Sequence, residues 1–258
     1  MVEKDKILII DQLSISFGGV HALDGLDLEI REHEIFGLIG PNGSGKTTLI
    51  NAVSGIYHPN QGRILFPDGK TNISNQKPHI IARKGIARTF QRTAPFLSLT
   101  PLENVMVGTQ YLTKEGLFRT IFRLRKETAE EKRGKEKALE TLKLVSLHQI
   151  AKEDLSRLTF AELRLLDLAR ALATQPKLML LDEPAAGMNY MEMNLMNGIL
   201  RKICDHMGIT ILLVEHNMKL IMGICDRICV LNFGKKICEG TPEKIKNDPR
   251  AIKAYLGS

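Results

Sequence analysis

The chain of 258 residues has no tryptophan, 5% aromatic residues and only four cysteines. Sparse rings leave no ladder of aromatics interleaved with basic residues on which bases could stack, so the net charge of +7 does not by itself point to nucleic acid. The most basic segment, Arg119 to Lys137, also holds Glu127, Glu130, Glu131 and Glu136, the pattern of a solvated helix face. The cysteines Cys204, Cys225, Cys229 and Cys238 show no C-x-x-C pairs, and the two that sit close, Cys225 and Cys229, are too few for a metal site; packing is expected there. No apolar run approaches the ~18 to 20 residues of a membrane-spanning helix. The amino terminus runs from Met1 to Lys6 straight into Ile7-Leu8-Ile9-Ile10, without the long apolar core of a signal peptide. These absences lead to the expectation of a soluble, cytosolic protein with reduced thiols and no nucleic-acid partner.

What is present is a chain with 43% hydrophobic residues, enough for one large or two closely joined units with a proper core. Its most informative stretch is Gly40-Pro41-Asn42-Gly43-Ser44-Gly45-Lys46-Thr47, which fits G-x-x-x-x-G-K-S/T at every fixed position. The apolar run Ile35 to Ile39 before it reads as a buried strand, and Thr48 to Val53 after it as a helix. Glycines in such a loop let successive backbone N–H groups turn inward around a phosphate, and the helix N-terminus adds a favourable partial charge. The expected ligand is a nucleoside triphosphate held by Asn42, Gly43, Ser44, Gly45, Lys46, Thr47 and Thr48, with Lys46 on the β- and γ-phosphates and the Thr47 hydroxyl on Mg²⁺.

A second run, Leu178-Met179-Leu180-Leu181-Asp182-Glu183, places two carboxylates at the end of a buried strand. Beside a P-loop, an acid in that place holds Mg²⁺, which suits Asp182. Glu183, one residue on, is placed to orient and deprotonate the attacking water. Thr210-Ile211-Leu212-Leu213-Val214 is a second dense apolar run, and both look like parallel strands covered on two faces. Strands are expected at Ile7 to Ile10, Leu13 to Phe17, Leu26 to Ile30 and Arg63 to Phe66, whereas Arg92 to Leu172 has helical texture.

In the order of its motifs the chain resembles the ATP-binding subunits of ABC transporters over essentially its full length. The fold class that this implies is α/β: a P-loop ATPase core with an N-terminal antiparallel β subdomain (residues 1–91 and 173–258) and an inserted α-helical subdomain carrying the signature motif (92–172). On this resemblance Gln91, in Ala87-Arg88-Thr89-Phe90-Gln91, is the glutamine that meets Mg²⁺ and water, Asp182 the metal aspartate and Glu183 the catalytic glutamate. His216 is the histidine that contacts the γ-phosphate, Ala186 to Asn189 the D-loop, and Phe17 a ring stacked on adenine, with an ordinary core position as its rival reading. The catalytic set is then Glu183, His216, Gln91 and Lys46, the metal set Thr47, Gln91 and Asp182, and the cofactors ATP and Mg²⁺.

The departure from the family pattern is the signature, here Leu158-Thr159-Phe160-Ala161-Glu162. Thr159 keeps a hydroxyl for the γ-phosphate, while Ala161 sets a Cβ where glycine is usual, and a positive φ there would be costly. In this family the signature completes the site of a partner, so the partner's site is expected to be slower and Ala161→Gly to speed it; an untroubled tolerance of Ala161 is the alternative.

Within the family the similarity is to the larger ATPase subunit of branched-chain amino-acid importers, carried by Gly85 to Gln91, Pro101 to Val105, Asp182 to Asn189, Glu215 to Met222 and Ala254 to Gly257. This implies a dimer with a second ATPase subunit (a homodimer being the alternative), membrane permease subunits facing the helical lobe, an external substrate-binding protein, and a cytoplasmic place on the inner face of the membrane. Rival readings are a lipopolysaccharide-export ATPase and a regulatory subunit with one degenerate site. A GTPase is disfavoured because no Asn-Lys-x-Asp is present, and a small-molecule kinase has no reason to carry Gln91, Glu183 and His216 together.

Overall fold

The protein, described here by a computed structural model, is defined over residues 5–89, 95–110 and 129–256. It divides into two units, one of residues 1–88, 177–184 and 200–258, the other of residues 89–176 and 185–199.

The first unit contains two sheets. Strands β1 (Lys6–Phe17), β2 (Val20–Arg31) and β4 (Gln61–Leu65) form an antiparallel sheet in the order β2-β1-β4. The alternation of β1 buries Leu8, Ile10, Leu13 and Ile15 against Leu23, Leu26, Leu28 and Ile30 of β2. The two strands expected at Ile7 to Ile10 and Leu13 to Phe17 are one continuous strand. The polar Asp11-Gln12 step between them is a bulge: Gln12 has φ 48°, its N–H donates to Asp27 Oδ1 at 2.8 Å, and the β1–β2 register shifts between Ile10 and Leu13.

The second sheet has the order β5-β6-β7-β3-β8-β9, with β3 (Ile35–Ile39), β5 (Ile86–Arg88), β6 (Leu178–Asp182), β7 (Thr210–Val214), β8 (Arg227–Asn232) and β9 (Lys235–Gly240). All neighbours are parallel except β8 and β9. Every residue of β3, β6 and β7 is buried, which is why these strands read as unbroken apolar runs rather than as alternation. Two faces are covered, so the interior positions are apolar, and the polar residues Asp182 and Thr210 fall at strand ends. Helix α1 (Lys46–Val53) follows β3, and α2 (Pro78–Arg83) precedes β5. Parallel strands align their carboxyl ends on one edge, and ligands of open α/β sheets bind along that edge.

The second unit is helical: α3 (Pro101–Gln110), α4 (Ala129–Leu144), two short turns at His148–Ile150 and Leu155–Arg157, and α5 (Phe160–Leu172). Buried Asn104 ties the loop before α3: its amide donates to Phe96 O, Leu99 O and Thr100 O at 3.1, 3.2 and 3.1 Å, and its oxygen accepts from Phe96 N at 2.9 Å. Helix α6 (Tyr190–Met207) starts in this unit and ends in the first. Helix α7 (Met218–Ile224) follows β7, and α8 (Pro242–Asn247) and α9 (Pro249–Leu256) complete the chain. Gly116 to Phe118 and most of the basic stretch after it lie outside the described residues.

Candidate nucleotide-binding and hydrolysis site

Between β3 and α1 the loop can exist only with glycine. Gly45 has φ +105°, and a Cβ there would come within 2.5 Å of Ala22 O; a Cβ on Gly40 would come within 2.2 Å of Leu231 O and 2.6 Å of Ser44 Oγ. The loop is thus pressed between its own turn and the chain behind it. From that side Gly234, in the turn between β8 and β9, donates its N–H to Ser44 O at 3.0 Å and accepts from Asp24 N at 3.1 Å. Lys46 is buried and its Nζ donates to Gly40 O at 2.8 Å and Pro41 O at 2.9 Å, drawing the loop around its ammonium. No side chain caps α1, so the amides of its first turn remain available to an anion. Asn42, Gly43 and Thr47 are exposed, Gly45 and Thr48 half-buried, and Ser44 is buried.

The neighbouring strands supply the acids. Asp182 ends β6 and is buried; Glu183 follows, with its N–H on Val214 O at 2.9 Å. Glu183 has φ 51°, a left-handed conformation that disfavours a non-glycine residue and persists where the surroundings enforce it. That turn swings its carboxylate to His216, which follows β7: Glu183 Oε1 and His216 Nε2 are 2.8 Å apart. Burial holds the Asp182 carboxyl above its ordinary range, the charge of Arg88 opposes this, Glu183 pushes in the same direction as burial, and Lys46 and His216 oppose it. Burial lowers the Lys46 ammonium, and Glu183 and Asp182 oppose the shift. Lys46, Asp182, Glu183 and His216 therefore form one electrostatic group. The Thr47 hydroxyl and the Asp182 carboxylate are hard oxygen donors, a set that suits Mg²⁺. Gln91 lies outside the described residues.

Phe17 is 47% exposed, so it is not a core ring. It sits at the end of β1 and meets Tyr57 edge-on, with centroids 5.0 Å apart and planes at 66°. Tyr57 supports it from one side and leaves ring surface free for a flat ligand.

In the helical unit, the signature differs from expectation. Thr159 caps α5: its Oγ1 accepts from Glu162 N at 3.2 Å, while Glu162 Oε2 accepts from Thr159 N at 2.7 Å. Ala161 is the second residue of this helix, buried and absent from the positive-φ positions. The left-handed strain expected at Ala161 does not exist, because a reciprocal cap makes the segment ordinary helix from Phe160 onward. Thr159 and Phe160 are its exposed members; Arg164 stacks over the Phe160 ring at 5.0 Å, and Gly187 of the D-loop packs against that ring. Asn189 caps α6 through Met191 N and Glu192 N at 2.9 and 3.1 Å.

Sequence reasoning missed Tyr57, Gly234 and Arg88. Only the last had a visible signal, a basic residue directly after the apolar pair Ile86-Ala87. Cys225 and Cys229 are buried, as are Cys204 and Cys238, and none of the four forms a disulfide.

A glycine cradle on β3, a metal-type carboxylate on β6, a glutamate–histidine pair between β6 and β7 and a separate helical unit with its own capped signature define an ATP-binding cassette. Comparison with known proteins agrees. A family profile described as ABC transporter matches residues 23–186, and one described as branched-chain amino acid ATP-binding cassette transporter matches residues 235–258. The chain is 39% identical to the high-affinity branched-chain amino acid transport ATP-binding protein LivG of Salmonella typhimurium, over 97% of this chain and 98% of that protein. It is 38% identical to the corresponding protein BraF of Pseudomonas aeruginosa, over 97% and 98%. Among solved structures, the ADP conformation of MJ1267, an ATP-binding cassette of an ABC transporter, is similar with a TM-score of 0.84 and 30% identity, covering 98% of this chain and 99% of that one. The chain belongs to the ATP-binding subunits of ABC transporters. Its chemistry is ATP hydrolysis. Among the described residues no helix is long and apolar enough to cross a membrane.

Proposed function

We propose that the chain is the ATP-hydrolysing motor subunit of an importer for branched-chain amino acids. It works as a heterodimer with a second ATPase subunit on the inner face of the membrane. The observation that carries the catalytic part is the 2.8 Å contact between Glu183 Oε1 and His216 Nε2 beside Lys46 and Asp182. Glu183 holds the attacking water and takes its proton, and His216 orients that carboxylate and meets the γ-phosphate. The loop amides and Lys46 neutralise charge that builds on the transferred phosphoryl group. Thr47, Asp182 and Gln91 hold Mg²⁺, whose charge, when bound, offsets that of the β- and γ-phosphates. Phe17 is the platform for the adenine, and Thr159 at the start of α5 serves the partner's nucleotide. The intact Glu183–His216 pair argues against a purely regulatory subunit, and the match of the C-terminal segment to the branched-chain profile favours amino-acid import over lipopolysaccharide export.

The test is uptake of labelled leucine by cells carrying either the native chain or Lys46→Ala. Loss of uptake with an intact envelope is the expected result. Unchanged uptake refutes leucine as a cargo, and an envelope defect alongside it would favour the export reading.

A further inference from the structure

Arg88, the last residue of β5, has no task in the reading above, yet it is placed between two of its parts. Its side chain is 11% exposed. Nη1 donates to Asn51 Oδ1 at 2.6 Å and to Ser54 Oγ at 3.1 Å, both on the final turn and cap of α1. Ser54 spends its own proton on Ile50 O at 2.9 Å, so its oxygen is left to accept from the arginine. Nη2 faces the other way, 3.7 Å from Asp182 Oδ2. One planar guanidinium therefore spans from the helix that carries Lys46 and Thr47 to the carboxylate at the end of β6. β5 holds it there by pairing, with Arg88 opposite Leu180 and Ile86 opposite Leu178.

We propose that Arg88 is a positioning residue that fixes the spacing between the P-loop helix and the Asp182 carboxylate, so that a cation-bound nucleotide engages both at once. This rests on the assignment of Thr47 and Asp182 to the cation. A nucleotide without a cation needs only the cradle of α1 and its loop. A nucleotide with one needs the cradle and Asp182 in fixed relation. The rigid fork of arginine suits this; a lysine ammonium is a single point on a flexible stem and does not hold two helix acceptors and a carboxylate in one plane. Arg88 carries the same sign of charge as the cation. If that charge were its main effect, removing it would tighten cation binding, so the sign of the result separates positioning from electrostatics.

The experiment uses the full chain, with ADP affinity measured by titration calorimetry in EDTA and again with Mn²⁺, and bound Mn²⁺ counted by electron paramagnetic resonance. Arg88→Met is expected to leave the affinity in EDTA unchanged and to reduce the gain given by Mn²⁺ roughly 10- to 100-fold, the range for residues that orient a metal ligand. Arg88→Lys is expected to recover only part of the gain. An equal loss in both conditions together with a lower melting temperature would mean a structural role and overturn the proposal, and so would an unchanged or larger Mn²⁺ gain. If Arg88→Met does not fold, Asn51→Ala, which removes one support of the guanidinium, carries the test with the same sign and a smaller loss. Asp182→Asn is the control. A normal Mn²⁺ gain in Asp182→Asn refutes the assignment of that residue to the cation, whereas a lost gain there beside a normal one in Arg88→Met refutes the role of Arg88 alone.

Discussion

Ala161→Gly separates what the signature sequence suggests from what its structure requires. By sequence, restoring glycine frees a backbone that approaches phosphate and accelerates hydrolysis at the partner's site. In the structure, Ala161 is the second residue of α5, helical and 8% exposed, behind a Thr159–Glu162 cap. Glycine relative to alanine in a helix costs roughly 0.5–1 kcal/mol in conformational freedom. The lost methyl removes about 0.8 kcal/mol of burial. Together the substitution destabilises the helical unit by about 1–2 kcal/mol. At about 2–4 °C per kcal/mol for a domain of 150–250 residues, the melting temperature falls by about 2–8 °C. The assays are scanning calorimetry of the isolated chain and steady-state ATP hydrolysis by the assembled transporter. The expected outcome is a lower melting temperature and no acceleration. Faster turnover with an unchanged melting temperature would show that the backbone at residue 161 needs glycine after all, and would refute the argument from helical geometry.

Three further outcomes are expected. Phe17→Ala weakens ATP binding by about 1–3 kcal/mol, roughly 5- to 150-fold, since stacking on an aromatic ring is worth that much per base; fluorescence titration showing native affinity would remove Phe17 from the base site. Burial pushes the Cys225 and Cys229 thiols up, and Cys238 up to about 11, so the reactive thiolate is scarce at neutral pH; thiols of the native chain should react slowly with Ellman's reagent at pH 8 and all four rapidly in guanidinium, and rapid native labelling would contradict their burial. The Arg250 side chain and backbone N–H hold Asp248 down to about 2 from 3.8. A depressed folded value means that its contribution is present above about pH 3.8 and lost as pH falls through about 2, so Asp248→Asn should flatten the acid limb of stability between those values. An identical acid limb in the variant would mean that the pair contributes nothing.

The strands that position the site were legible because of how they are covered. β3, β6 and β7 have no wet face, so their interiors are apolar, and the polar residues at their ends, Asp182 closing β6 among them, stand out as chemistry. The P-loop was legible for a different reason: its glycines answer to backbone clashes that no other residue avoids, so the constraint is written in residue identity. β5 was not legible, because three residues are too few to show a period and its strand character comes from pairing with β6. The bulge in β1 was read as a strand break, because the polar Asp11-Gln12 step interrupts the alternation locally, while the pairing with β2 and β4 that carries the strand through it is made with distant residues.

The sequence by itself pointed to the cradle, the acids at strand ends and a helical stretch after β5, since each rests on local backbone geometry or on one-dimensional burial, whereas the grouping of residues 185–199 with the helical unit was not legible in it. Only the tertiary structure decided that Ala161 is ordinary helix, that Phe17 has Tyr57 at its side, and that Arg88 joins α1 to Asp182. The physical reason is strand order: β5-β6-β7-β3-β8 brings together carboxyl ends that are far apart in the chain, and which side chains then meet depends on register and twist that no local segment encodes.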